Sequence, residues 1–118
     1  MKGSTHLARL GYSGETGWRT LPADPLIVRS TIPSGTVGVY LLIADRQIVY
    51  VGRSDTCLQT RLYHHEHFSA ARIIAWQPHA TAEWAYRTEC KWYVRIYGKP
   101  GVLNKITPAA PGELPTRR

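Results

Sequence analysis

Sixteen residues, GVYLLIADRQIVYVGR at positions 38–53, constrain the fold more than any other stretch. Val37 to Ala44 and Gln47 to Gly52 are both rich in β-branched and aromatic side chains, which favour strands. Only Asp45 and Arg46 separate them, so the pair reads as a β-hairpin closed by a tight turn. Glycine and tyrosine flank it in mirrored order, as Gly38-Val39-Tyr40 and Tyr50-Val51-Gly52, with nine residues between the triplets. Same-face side chains on antiparallel neighbours lie within about 5.5 Å at Cβ. A hairpin can therefore bring Tyr40 and Tyr50 to one site.

The chain beyond the hairpin supplies the partners of such a sheet. Ser54 and Asp55 are capping residues ahead of LQTRLYHHEHF, which predicts a helix of two to three turns. Ala71 to Trp76 is a short apolar run that stops at Pro78, and predicts a third strand. Ala80 to Tyr97 lacks glycine and proline and ends at Gly98-Lys99-Pro100-Gly101, a helix stop. The order β-β-α-β-α predicts a small α/β (α+β) domain, a three-stranded antiparallel or mixed sheet flanked by helices. That domain is expected over residues 37–106. Residues 1–36 read as an irregular arm, in which Leu26-Ile27-Val28 forms a short strand or packs as it stands. The stretch TPAAPGELPTRR has three prolines in twelve residues and reads as an extended tail over 107–118.

Composition narrows the function. At 118 residues there is room for one domain. No apolar run approaches the ~20 residues that span a membrane, and the leading MKGSTHLARLGYSG lacks the apolar core of a secretory signal. A cytoplasmic protein with reduced thiols at Cys57 and Cys90 is the expectation. Fifteen Lys and Arg against eight Asp and Glu give a net charge of +7, which suits a polyanion such as nucleic acid. The basic residues are dispersed, so no membrane-surface patch is read.

Individual side chains stand out against this background. On the long helix, Ala82, Ala85, Tyr86, Glu89, Trp92, Tyr93 and Ile96 form one stripe, with a carboxylate in its middle. A buried charge is costly unless it is paired or holds a cation, so Glu89 either meets an arginine or ligates a metal. Glu83, near the first turn, merely suits the helix dipole. Arg61 and His65 are four apart and share a helix face, and arginine is suited to gripping phosphate. In HHEH, His64 and His65 diverge by about 100°, which argues against a shared zinc ion. Trp76, Trp84 and Trp92 read as core before they read as base-stacking platforms.

Taken in order, the two triplets, Arg61 in LQTRL, Glu89 in RTECKWY and Asn104 in GVLNK resemble the GIY-YIG nuclease family over about residues 37–106. The resemblance implies an endonuclease that hydrolyses phosphodiester bonds of nucleic acid, DNA first, with Mg²⁺ or Mn²⁺ as cofactor. It implies Glu89 as the metal ligand and Arg61 as the group holding a phosphate oxygen. Tyr40 would activate or orient water, with Tyr50 beside it and His65 assisting. Gly38 and Gly52 would let phosphate or a neighbouring strand approach, and Asn104 would anchor the segment after the helix. Two spacings depart from the family pattern: the nine-residue gap is short, and Arg61 stands one position further from Gly52 than usual. Arg53 is therefore the competing phosphate-holding residue. A binding module of the same fold that does not cut, or a nuclease toxin or subunit of a larger assembly, are the alternatives. Cutting both strands of a duplex would call for two subunits or two turnovers, and a homodimer or a protein partner would supply specificity.

Overall fold

The computed structural model describes residues 7–12 and 16–112, together with the backbone of 116–117. Strand β1 (Arg19–Pro22) is followed by helix α1 (Pro25–Thr31) and the hairpin strands β2 (Gly38–Ala44) and β3 (Gln47–Ser54). Helix α2 (Leu58–Tyr63), a 3₁₀ turn (Phe68–Ala70), β4 (Ile73–Pro78) and the long helix α3 (Ala82–Ile96) come next. Two-residue strands β5 (Ile106–Thr107) and β6 (Thr116–Arg117) pair with each other. The main sheet is antiparallel in the order β1-β4-β2-β3.

The sheet therefore has four strands, where three were expected. The segment read as an arm supplies both β1, paired to β4 from Arg19↔Trp76 to Pro22↔Ile73, and a helix. Leu26-Ile27-Val28 lies in α1, and the reason is local. Asp24 caps the helix, its Oδ1 accepting from the amides of Leu26 at 2.8 Å and Ile27 at 3.3 Å. Pro25 at the first helical position needs no amide partner. Helix α2 is also shorter than LQTRLYHHEHF predicts. Cys57 occupies its N-cap, while Ser54 Oγ accepts from the amides of Thr56 and Cys57 in the preceding turn.

Alternation along the strands sorts the core into two layers. Val39, Leu41, Ile43, Ile48, Val51 and Ala75 face α3, where they meet Ala85, Trp92, Tyr93 and Ile96. Tyr40, Leu42, Val49, Ile74 and Trp76 face the other way, onto Val28 and Ile32 of α1 and Leu58 and Leu62 of α2. Each fully buried aliphatic side chain here stabilises the fold by roughly 1.5–3 kcal/mol. Thr81 caps α3 through the Trp84 amide, and Gly98 follows it at φ 81°. Trp92 and Trp76 are core residues, whereas Trp84 is 57 % exposed. Both cysteines are free thiols.

One irregularity decides where the tyrosines point. The turn at Asp45 (φ 45°) pairs Ala44 with Gln47 and Ile43 with Ile48. Continued without a break, that register would set Tyr40 opposite Val51 and send Tyr50 to the other face. A β-bulge between Leu42 and Ile43 leaves Val49 as the extra residue. Leu42 then faces Tyr50 and Tyr40 faces Gly52, so both phenols emerge on the α2 side. The tyrosines are diagonal neighbours on that face.

Candidate active site at the edge of β3

β3 ends the sheet, and its outward backbone groups would be open to solvent without a partner. The chain after α3 covers them. Leu103 donates its amide to Val49 O at 2.7 Å. Asn104 then mimics a strand with its side chain: Oδ1 accepts from Val51 N–H at 3.0 Å, and Nδ2 donates to Val51 O at 2.9 Å. Asn104 thereby fixes where the following residues run. Together with β3, α2 and α3 they enclose a cleft of about 330 Å³, onto which Tyr50, Arg53, Asp55, Arg61 and Glu89 open. The opposite wall is Ile106 to Ala110, so the proline-rich tail lies along the site as its wall.

On the α2 side, Tyr40, Tyr50 and His65 form a ring cluster. The phenols stack at 6.2 Å between centroids, and His65 meets both edge-on, at 5.4 Å from Tyr40 and 4.5 Å from Tyr50. Tyr40 has no solvent-exposed surface, and Arg61 Nε lies 3.5 Å from its hydroxyl. Burial raises the Tyr40 phenol well above its usual pKa, Tyr50 adds to that, and Arg61 opposes it. Burial raises Tyr50 too, again against Arg61. Both phenols are therefore protonated donors at neutral pH. Tyr40, the residue expected to activate or orient water, lies beneath the cleft with its hydroxyl against Arg61. Tyr50 is the phenol that reaches the cleft.

His65 is equally constrained. Burial, then the charge of Arg61, lower its pKa to about 4, so the ring is neutral in ordinary conditions. Its Nδ1 accepts the amide of His67 at 3.0 Å, which places the remaining proton on Nε2. In this arrangement His65 offers a donor and no free acceptor nitrogen.

The two arginines differ in how their donors are used. Arg53 Nε donates to Asp55 Oδ1 at 2.7 Å, and NH1 donates to Glu89 Oε1 at 2.7 Å. NH2 reaches Ala109 O at 2.6 Å, and the guanidinium lies over the Tyr86 ring at 5.1 Å. Arg53 is thus a tie between strand, helix and tail rather than a free phosphate ligand. Arg61 is exposed, and among the described residues no carboxylate pairs with it. Of the two, Arg61 has the charge to offer a phosphate.

Glu89 is 9 % exposed and turns toward Arg53, so its arginine partner is real. Burial raises its carboxyl above the usual range, while the Arg53 hydrogen bond and charge oppose the shift. Among the described residues no three His, Cys, Asp or Glu side chains group into a metal cage. One or two carboxylates on an open cleft suit a hydrated Mg²⁺, which keeps most of its own waters. Glu89, with Asp55 in the same cleft, fits that description.

Both signature glycines meet protein atoms. A Cβ at Gly52 would overlap the Tyr40 phenol, and one at Gly38 would overlap the carbonyl of Gln77. They make room for a ring and for a neighbouring strand, and neither lines the cleft. Two features escaped the sequence reading. Asp55 sits two residues after Arg53, a spacing that can bring side chains to one side of an extended chain. The wall from Thr107 to Ala110 carries no such signal, because its small side chains and prolines act through backbone position. No family model, curated protein or solved structure matches this chain.

Proposed function

We propose that this protein is a metal-dependent endonuclease that hydrolyses phosphodiester bonds, with DNA as substrate, by chemistry like that of the GIY-YIG family. The observation that carries this reading is the cleft at the edge of β3. There an arginine that no carboxylate pairs with among the described residues, a protonated phenol and a buried carboxylate converge from α2, β3 and α3.

Each group has a part suited to its state. Arg61 donates to a non-bridging phosphate oxygen and offsets the charge that builds as water adds to phosphorus. Tyr40 positions Arg61 from below. Tyr50, as a donor, orients the phosphate or the attacking water. His65 Nε2–H adds a further donor beside it. Neither phenol nor the imidazole is placed to take a proton. A divalent cation held by Glu89 would, when bound, acidify its own water and support the leaving 3′ oxygen. Arg53 keeps Glu89 in place through one carboxylate oxygen and binds no substrate. The bond formed joins the water oxygen to phosphorus, with the water's proton passing to solvent; the bond broken is P–O3′, and the departing oxygen takes a proton from solvent.

The binding module that does not cut has one observation behind it, since Arg53 already neutralises Glu89. Relaxation of supercoiled plasmid in Mg²⁺ or Mn²⁺ separates the two. Metal-dependent nicking, abolished by EDTA and lowered at least about a hundredfold in Glu89→Gln, is the expected result. Wild-type rates in Glu89→Gln would remove the metal site from α3. Binding without nicking would establish the module.

A further inference from the structure

The candidate cleft is bordered by two others that share lining residues. A second, of about 490 Å³, shares Tyr50, Arg61 and Ile106 with it and extends past His67 and Lys105. A third, of about 190 Å³, shares Thr60 and His64 with the second and ends at Arg29, Gln59 and Tyr63. Shared residues thus set the three clefts side by side, from the tail wall across α2 to α1.

Two kinds of group line these clefts. The first is positive charge: Arg61, then Lys105, then Arg29. Asp55 and Glu89 are each paired with Arg53 at 2.7 Å, and Glu66 is a solvated acid within hydrogen-bond reach of His67 at 3.0 Å. The second is exposed ring surface. Tyr63 is 48 % exposed, with the Arg29 guanidinium over its ring at 5.5 Å and His64 edge-on at 5.1 Å. Gln59 Nε2 donates to the carbonyls of Arg29 and Ile32, each at 3.0 Å, which locks α1 to α2 beneath that platform.

We propose that these three clefts are a binding track for a single strand of nucleic acid, which stacks a base on Tyr63 and passes Lys105 to reach Arg61. The proposal rests on the nuclease reading for the purpose of the track, though not for its existence. Separate clefts of a few hundred cubic ångström each suit one small group at a time. A duplex keeps its bases stacked inside and could lay only its backbone across them. A splayed strand can set a base against Tyr63 while its phosphates follow the cations, the combination that binds single strands without sequence preference.

The test is fluorescence anisotropy of the full chain in EDTA, with a short labelled oligothymidylate and with the same strand in a duplex. The single strand should bind more tightly. Tyr63→Ala, and separately Arg29→Ala with Lys105→Ala, should each weaken its binding roughly tenfold, while Tyr63→Trp retains it. Circular dichroism checks that each variant is folded. Equal or tighter binding of the duplex, or single-strand affinity unchanged in folded Tyr63→Ala, overturns the track. Plasmid nicking is scored separately. Cleavage of the oligothymidylate in Mg²⁺ is scored beside it: single-strand binding with neither substrate cut would sink the nuclease reading and leave the track standing, whereas cutting with a duplex preference does the reverse.

Discussion

His65 shows how one residue's surroundings set its chemistry. Its ring is packed against two phenols, with Arg61, Glu66 and His67 as the charged or titratable groups around it. In the folded protein it titrates at about 4, below the ordinary 6.5. A lowered folded pKa means that the unfolded chain takes up the proton first. Its contribution to stability is full above about pH 6.5 and is lost as the pH falls toward about 4. Thermal denaturation across that window should show a steeper acid loss for the wild type than for His65→Phe. Parallel curves would mean that the imidazole is not held in the buried, neutral state described here.

At the scale of elements, the hairpin carries the positional information. Deleting Val49 removes the extra residue and leaves Leu42 facing Tyr50 and Leu41 facing Val51, so the ladder becomes continuous with each side chain on its present face. The chain should lose the burial of Val49, about 1.5–3 kcal/mol, and still unfold cooperatively. Loss of the cooperative transition would contradict the face assignment. The hairpin and α3 were legible because their signals are periodic and long. The bulge was not, since Leu42, Ile43 and Val49 are all apolar and either register buries them. Strand β1 was missed because four residues, Arg19 to Pro22, are too few to show a period. α1 had a readable start in Asp24-Pro25, obscured by the turn-like composition around it. Glu89 was legible as an anomaly within its stripe, but that Arg53 rather than Arg61 would meet it depended on which face each arginine takes.

For the molecule as a whole, Arg53 is where the layers and the tail are joined. Its guanidinium holds β3, Glu89 of α3 and the backbone at Ala109 together. Arg53→Ala would leave Glu89 buried without its partner, a loss of about 3–5 kcal/mol. Urea denaturation should record it, with much of the loss recovered in Arg53→Leu combined with Glu89→Leu, where no charge is stranded. Full stability in Arg53→Ala would show that the tie is dispensable. The partners of Arg53 also lie at very different distances along the chain: two residues to Asp55, 36 to Glu89 and 56 to Ala109. A polypeptide emerging from the ribosome meets them in that order. Glu89 can be neutralised as soon as α3 is made, whereas the wall that narrows the cleft arrives only with the residues beyond 105. The growing chain thus acquires its scaffold first and the finished shape of its groove afterwards.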